Sequence, residues 1–345
     1  GNSAMRDVIV SFVIPALNEA LLIGRCLLSI KAQRLPAGLG GIEIIVVDTG
    51  SEDSTTQIAK AFGASVISLP RNTPIAKARN VGAEASRGDL IAFIDADCEL
   101  DCDWITVSMK HFSEGTIAAV GSILAPPPDD TTWVERLWYR LGYRRPTAVF
   151  SRVDWLPTLN MLVARSQFEA AGGFNESLIT CEDQDLGRRL RKFGDIILDT
   201  RAPARHLRES KTLYELFRRE AWRGRSSYRS VLLNDHPIHE VPSIIVPLIF
   251  VSVLFTTIVS SAISLFDPSW MRLTIASAIL LALIPTCYLI RQRPPIDSPL
   301  EFGQMFLISS VYLLARGLAN LRFPSQRLPA PKPNSFRPDA QEGPG

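Results

Sequence analysis

The sequence lacks the glycine-rich motifs that hold phosphate with backbone amides. No G-x-G-x-x-G follows its first apolar run, and no G-x-x-x-x-G-K-[ST] occurs in its 345 residues. Dinucleotide oxidoreductases and P-loop NTPases need these glycines, so both classes are excluded. The 5 cysteines form no C-x-x-C pair, which argues against a zinc knuckle or a disulfide framework and favours a reducing compartment.

An excess of basic charge is also missing. The chain has 37 Lys+Arg and 35 Asp+Glu, and its net charge of +2 gives no indication of nucleic-acid binding. No charged segment with a following apolar region precedes the first strand, so we expect no signal peptide. We interpret residues 1–5 as the remnant of an expression tag.

Charge is absent from two long stretches near the carboxyl terminus, Val241–Phe266 and Leu273–Ile290. Each is close to the length of roughly 20 residues that crosses a bilayer. We therefore predict two transmembrane helices within residues 241–290, with a buried hairpin in a soluble domain as the alternative. A third apolar segment, residues 302–321, is interrupted by Arg316, which favours an interfacial helix over a third span.

Basic residues flank the outer ends of the two predicted spans. They are Arg218, Arg219, Arg223, Arg225 and Arg229 before the first span, and Arg291 and Arg293 after the second. The positive-inside rule then predicts a multi-pass protein of the inner (cytoplasmic) membrane, with the residues before the first span on the cytoplasmic side. The Pro-rich segment 322–345 is predicted to be a flexible tail.

Residues 6–235 alternate short apolar runs with helical patterns. Strands are predicted at residues 8–14, 42–47, 65–69 and 89–94, with helices between them. Such alternation indicates the α/β class, a mostly parallel sheet with helices on both faces. Asn18 is expected to cap the first helix, and Ser54 with Gln57 to form a capping box before the second.

Acidic and amide side chains follow several of these strands, and in parallel sheets ligands bind at that edge. Asp95 and Asp97 come directly after the fourth strand, at alternate positions. Two hard oxygen ligands in this arrangement suit Mg²⁺ or Mn²⁺. The alternative is that these aspartates only cap the next helix.

A second acidic group, in TCEDQDLGRRLRKFG, opens a predicted helix that begins near Glu182 and buries Leu186, Leu190 and Phe193. Its acids complement the helix dipole in the simplest interpretation. Three acids within four residues exceed that need, and neighbouring carboxylates raise one another's pKa, as a general base requires.

Another predicted helix, in Thr131–Pro146, is amphipathic and fits either the bilayer interface or an ordinary protein surface.

The chain resembles the family 2 glycosyltransferases of the GT-A fold. The motifs that carry the resemblance are VIPALNE, VVDTGSEDST, ARNVGAEASRGDLIAFIDAD, GGFNES and EDQDLGRRL, in the family's order between Val8 and Arg225. One position departs from the family pattern: Thr49 stands where a second Asp is common.

The resemblance implies a role for each matching residue. On the donor side, Pro15, Asn18 and Glu19 border the base and ribose, Asp48 accepts from the base, and Arg79 contacts the nucleotide. Asp95 lies near the ribose and the metal, and Asp97 is the main metal ligand. His206 either completes the metal shell or touches the diphosphate. Asp183 is the catalytic base and Glu182 orients the acceptor, while Arg218, Arg219 and Trp222 cover the diphosphate. For His206, an exposed loop histidine is an equal alternative.

The implied activity is an inverting, metal-dependent transfer of a sugar from a nucleotide-sugar donor to a lipid-linked acceptor at the membrane. This function fits glycan or exopolysaccharide biosynthesis, with polysaccharide-assembly proteins as partners and no nucleic acid. The alternative is a catalytically silent nucleotide-sugar or lipid-binding scaffold of the same fold. Two spans are too few for a polysaccharide channel, which favours single-sugar transfer over processive polymerisation.

Overall fold

The chain divides into two compact units. The computed structural model describes residues 8–113, 116–142, 148–178, 180–226 and 241–321. The first unit takes its described residues from Gly1–Ala125 and Pro146–Leu207, and the second from Pro126–Arg145 and Arg208–Gln326. The predicted tail 322–345 and the tag remnant lie outside the described residues.

The first unit contains a mixed sheet. Its strands are β1 (Val8–Ala16), β2 (Leu39–Asp48), β3 (Ser65–Ser68), β4 (Leu90–Ile94), β5 (Cys98–Leu100), β6 (Ile117–Leu124), β7 (Phe150–Arg152), β8 (Asn160–Ala164) and β9 (Asp195–His206). They lie in the order β3-β2-β1-β4-β8-β6-β9-β5, with β7 paired to β9. The four predicted strands β1 to β4 pair in parallel, and so do β6 and β9. Strand β8 runs antiparallel between β4 and β6.

The parallel strands finish at one edge of this sheet. Ala16 at the end of β1 is the register partner of Asp48 at the end of β2, and Phe93 near the end of β4 pairs with Val13 of β1. All five residues of β4 are buried, which explains its continuous apolar sequence LIAFI. The polar residues that follow these strands therefore share the carboxyl edge, as predicted.

Eleven α-helices are described. They are α1 (Ile23–Lys31), α2 (Thr55–Ala61), α3 (Ile75–Ala85), α4 (Trp104–Phe112), α5 (Trp133–Gly142), α6 (Arg165–Ala170), α7 (Glu182–Leu190), α8 (Leu213–Arg223), α9 (Pro242–Ser264), α10 (Met271–Gln292) and α11 (Pro299–Leu321). The predicted helix at Glu182 is confirmed as α7, with Leu186 and Leu190 fully buried. Phe193 was expected on the same stripe, but α7 ends before it and its side chain is 37% exposed.

The predicted helix caps are wrong, because Asn18 bonds to the loop that follows β2 and Asp53 takes the place of Ser54 at the start of α2. Helix α1 begins only at Ile23, without a side-chain cap, and Asn18 adopts a left-handed conformation with φ 54°. Ser54 stands at the N-cap of α2 but makes no capping bond. The backbone N–H of Thr55 donates instead to Asp53 Oδ1 at 3.0 Å.

The second unit consists of α5, α8 and three apolar helices. Helices α9 and α11, and the segment Pro268–Gln292 that contains α10, are long and apolar enough to cross a membrane by length and composition. Leu137 and Leu141 of α5 and Leu216 of α8 are buried in one cluster with Leu289, Met305 and Ile308 of α10 and α11. The face of α5 that suited a bilayer interface thus packs on protein. For the same reason the division of the chain differs from the predicted domain boundary at residue 235.

We predict that Gly82→Ala destabilises the first unit. A Cβ at Gly82 would lie 2.3 Å from Val13 Cγ1, whereas one at Gly24 meets Ile58 and Phe62 at ordinary contact distances of 3.8 Å. Overpacking of this kind lowers the free energy of unfolding by about 1–3 kcal/mol. Thermal unfolding followed by tryptophan fluorescence should show a lower midpoint for Gly82→Ala than for the control Gly24→Ala. Equal midpoints would show that α3 moves away from the sheet without cost.

Candidate active site

The loops that follow β1 and β2 are tied together by hydrogen bonds between side chains and backbone. The N–H of Asn18 donates to Ser51 Oγ at 2.8 Å, and Asn18 Oδ1 accepts from the N–H of Glu52 at 2.9 Å. The N–H of Glu19 donates to Thr55 Oγ1 at 2.8 Å. These contacts explain the left-handed backbone of Asn18, and they bring Asn18 and Glu19 to the carboxyl edge.

Asp48 organises the turn after β2. Its side chain is 4% exposed and accepts from the backbone N–H groups of Gly50 at 3.2 Å and Ser51 at 3.1 Å. Pro15 lies buried in β1 next to the register partner of Asp48. The hydroxyl of Thr49, where the family pattern has an Asp, donates to the last carbonyl of β1 at 3.2 Å. Thr49 therefore has a structural contact of its own.

A buried arginine joins the two acidic groups of the sequence. Arg79, on α3, is 2% exposed; its Nη2 donates to Asp95 Oδ1 and its Nη1 to Glu182 Oε1, each at 2.8 Å. Its guanidinium also lies 5.5 Å from the ring centroid of Phe174. Burial by itself would lower the pKa of Arg79, but the two carboxylates raise it above its ordinary value. Arg79 is thus held charged between residues far apart in sequence.

Asp97 faces a different partner from Asp95. The pairing of β5 with β9 places Cys98 opposite His206, and the N–H of Leu207 donates to the carbonyl of Asp97 at 2.8 Å. As a result His206 Nε2 lies 3.3 Å from Asp97 Oδ2. One ligand atom from each of Asp97, Cys98 and His206 fits within 4.8 Å of the others. A carboxylate and an imidazole at this spacing fit a divalent cation.

Asp183 follows Glu182 in the first turn of α7. Burial, together with the charge of Glu182, raises the pKa of Asp183 to about 7. The N–H of Gln184 donates to Asp183 Oδ1 at 2.8 Å. The helix begins directly after Cys181, which has a left-handed backbone with φ 67° that is uncommon outside glycine. Asp183 is therefore present in both its protonated and its ionised form near pH 7, and its Oδ1 is held by the N–H of Gln184.

Asn80 contributes to this site through a role that the sequence did not reveal. Its Nδ2 donates to the carbonyl of Phe174 at 2.9 Å and to Glu176 Oε1 at 3.0 Å, while its Oδ1 accepts from the N–H of Phe174 at 2.8 Å. This clamp fixes the Phe174 ring that lies beside Arg79. The only sequence signal was its place in the quoted ARN motif and that of Phe174 in GGFNES.

The predicted diphosphate-covering residues Arg218, Arg219 and Trp222 belong to α8, in the second unit. Arg219 Nη1 lies 3.1 Å from Glu209 Oε2, and the guanidinium of Arg218 lies 5.8 Å from the ring centroid of Tyr214. Trp222 is 46% exposed. Their predicted role toward the donor remains a prediction.

The arrangement of the chain is that of the GT-A fold. Among solved structures it is similar to the mannosyltransferase PcManGT from Pyrobaculum calidifontis in complex with GDP-Man and Mn²⁺, with a TM-score of 0.56 at 16% sequence identity. The likeness covers 91% of this chain and 87% of that one. At this identity it establishes the fold alone.

Residues 11–164 match the model of the family described as Glycosyl transferase family 2, so the chain contains a family 2 glycosyltransferase domain. Glycosyltransferase AglE of Haloferax volcanii is 29% identical over 191 residues, 54% of this chain and 62% of that protein. The pre-mycofactocin glycosyltransferase of Mycobacterium tuberculosis is 30% identical over 198 residues, 55% of this chain and 40% of that protein. The chain therefore spans less than two thirds of the length of either relative.

We predict that Asp183→Asn stabilises the protein at alkaline pH. The carboxyl of Asp183 ionises near pH 4 in an unfolded chain, at about its ordinary pKa, but at about 7 in the folded one. The folded state therefore loses stability as pH rises from about 4 to 7, and the loss is complete above that range. Asparagine removes it, so the unfolding midpoint at pH 8 should rise by several degrees and the gain should shrink toward pH 4.

The matched control is Asp185→Asn on the same helix. Asp185 Oδ2 lies 2.5 Å from Arg189 Nη2, so its removal leaves a half-buried arginine without that partner. We expect a lower unfolding midpoint for this variant. If Asp183→Asn also lowers the midpoint at pH 8, Asp183 is a stabilising carboxylate rather than a strained one.

Proposed function

We propose that this protein is an inverting, metal-dependent glycosyltransferase that moves a sugar from a nucleoside-diphosphate donor to an acceptor in the membrane. The Arg79 bridge carries the proposal, because it holds Asp95 of the β4 edge and Glu182 of α7 on one guanidinium. Arg79 thereby holds Asp95, on the proposed donor side, close to Glu182, the neighbour of the proposed base Asp183. A binding scaffold would gain nothing from the raised pKa of Asp183.

Asp183 is the proposed general base. Its ionised carboxylate accepts the proton of the acceptor hydroxyl as the oxygen bonds to the anomeric carbon and the bond to the diphosphate breaks. The proton remains on Asp183, and the single displacement inverts the anomeric centre. A pKa near the working pH suits this step, since the base must be ionised and still attract the proton. Glu182, paired with Arg79, orients the acceptor.

The proposed cation is Mg²⁺ or Mn²⁺, held by Asp97 and His206 with Asp95 beside them. When bound, it would stabilise the negative charge of the departing diphosphate. In the described structure Asp95 Oδ1 is engaged by Arg79, whereas Asp97 and His206 face each other at 3.3 Å. We therefore assign Asp97 and His206 as the main ligands. Asn18, Glu19, Pro15 and Asp48 are proposed to border the nucleotide.

The acceptor is proposed to be a polyprenyl-diphosphate-linked sugar or another glycolipid. Support comes from the three long apolar helices and from a relative in Pseudomonas aeruginosa, the undecaprenyl-phosphate 4-deoxy-4-formamido-L-arabinose transferase. That relative is 34% identical over 149 residues, 41% of this chain and 43% of that protein. We further propose that the catalytic part, within residues 6–235, works on the cytoplasmic side of the inner membrane in glycan assembly.

A release assay tests the proposed reaction. Detergent-solubilised protein is incubated with a panel of nucleotide sugars, a membrane lipid extract, and Mg²⁺, Mn²⁺ or EDTA, and the freed nucleoside diphosphate is measured. We expect lipid-dependent release that EDTA abolishes. Asp183→Asn should lose about a hundredfold or more in rate, and Asp97→Ala should lose metal-dependent activity. Asp185→Asn, which removes a charge from the same helix, should retain turnover.

The scaffold alternative makes the opposite forecast for the same experiment. Donors would bind with metal, yet no combination would turn over, and Asp183→Asn would leave donor binding unchanged. Turnover that persists in EDTA would instead reject the metal while leaving the transferase assignment in place.

The pH dependence gives an independent prediction. Because Asp183 acts in its ionised form, kcat/KM should fall below a pH of about 7 with a slope of one. Glu182→Gln removes the neighbouring charge, which is the second cause of the raised pKa after burial, so the falling limb should move to lower pH. A limb that stays in place in this variant would show that another group is being titrated.

A further inference from the structure

The third apolar helix, α11, makes contacts at one end of the α9–α10 hairpin. Helices α9 and α10 are antiparallel, since Thr274 near the start of α10 donates to Ser260 near the end of α9 at 3.1 Å. The start of α9 and the end of α10 therefore lie at the same end of the hairpin. We call this the open end, opposite the turn at residues 265–270.

Contacts along the length of α11 go to that open end. The ring of Tyr312 stacks on Tyr288, with centroids 5.5 Å apart, and Leu289 packs in the cluster of Met305 and Ile308. Further along, a Cβ added at Gly317 would lie only 2.4 Å from the carbonyl oxygen of Pro247. Residues in the first, middle and last thirds of α11 thus all contact the open end of the hairpin.

This register does not fit a helix that runs back across the bilayer beside α10. Gly317 lies about 27 Å along the helix from its start at Pro299, whereas Pro247 lies only about 7 Å from the start of α9. Tyr312 lies about 20 Å from Pro299, but Tyr288 is about 6 Å from the end of α10. Only residues 293–298 separate α10 from α11, so a third span would start at the open end and carry Gly317 toward the turn. The close approach of Gly317 to Pro247 instead puts the end of α11 at the open end as well.

Ion pairs at both ends of α11 support the same conclusion. Near its start, Arg140 Nη1 of α5 lies 3.0 Å from Glu301 Oε1; near its end, Arg316 Nε lies 3.0 Å from Glu220 Oε2 of α8. Glu220 is 1% exposed and lies on a short helix with charged residues throughout. Neither α5 nor α8 has the length or composition of a membrane span. The charged helices α5 and α8 contact the two ends of α11, so both ends of α11 lie outside the hydrocarbon core of the membrane.

The rest of α11 presents a stripe of leucines away from the protein. Leu300 is 72%, Leu307 44%, Leu318 37% and Leu321 54% exposed. At 100° per residue these positions fall within about 60° of one another on the helix surface. Apolar surfaces of α9 and α10 are likewise exposed, and their composition assigns them to acyl chains. The leucine stripe continues that lipid-facing surface.

We infer that α11 lies in the plane of the membrane at the open end of the hairpin, with its leucine stripe inserted among the acyl chains of one leaflet. The chain then crosses the bilayer twice, and both ends of α11 remain on the side where α9 begins. This decides between the two interpretations of residues 302–321 and is independent of the proposed reaction.

Topology reporters on the full chain test the inference. Green fluorescent protein or alkaline phosphatase is fused before Gly1, after Gly345, or inserted at Ser269 in the α9–α10 turn, and expressed in bacterial cells. We expect the two terminal fusions to report the same side and the Ser269 insertion the opposite side. A carboxyl-terminal fusion on the side of Ser269 would mean that α11 crosses, and three fusions on one side would mean that no helix does.

Depth measurement provides a second arm that also needs no activity. Tryptophan replaces Leu300, Leu307 or Leu318 in turn, and the fluorescence gained over the wild type is quenched by lipids brominated near or far from the headgroup. An in-plane helix predicts that the same shallow bromine quenches most strongly at all three positions. In a spanning helix Leu300 and Leu318 would lie about 27 Å apart, near opposite interfaces, with Leu307 closer to the bilayer centre. Deep quenching at position 307 together with shallow quenching at 300 and 318 would therefore overturn the inference. An added tryptophan that neither bromine quenches would reject the lipid contact of the stripe.

Discussion

A charged guanidinium with almost no access to water is the constraint around which the candidate site is built. Burying Arg79 unpaired would cost several kcal/mol, so its neighbours must supply compensating charge. Asp95 and Glu182 do so, each at 2.8 Å, and Phe174 covers the guanidinium. The two carboxylates come from the end of β4 and the start of α7. One cation therefore fixes the separation between the two acidic groups of the sequence.

The same pairing divides the acids of α7 into two kinds. Both terminal nitrogens of Arg79 are engaged by Asp95 and Glu182, so Asp183 feels the guanidinium only at longer range. Burial and the charge of Glu182 outweigh that attraction and raise the pKa of Asp183. Adjacent carboxylates with different environments can then take different roles, one as an ionised anchor and the other as a proton acceptor.

The parts of this fold that could be predicted from sequence are those with strong local patterns. The four parallel strands and α7 follow from continuous apolar runs and from the spacing of Leu186 and Leu190. The predicted caps at Asn18 and Ser54 are wrong, because Asn18 has its partner on the loop after β2 and Asp53, one residue before Ser54, accepts from the N–H of Thr55. The pairing of Asp97 with His206 depends on the register of β5 with β9, which no local pattern encodes.

Amphipathicity also leaves open whether an apolar face meets lipid or protein. The stripe of α5 fitted either partner, and Leu137 and Leu141 turn out to pack in a protein cluster. Arg316 is a case in which sequence alone misleads about a charge. A charged residue within an apolar helix argues against burial as long as its partner is unknown. With Glu220 buried beside it, the pair is compensated and the leucines on the opposite face of α11 are free to contact lipid. The partner of each charge, rather than its position in the sequence, decides how such a helix lies.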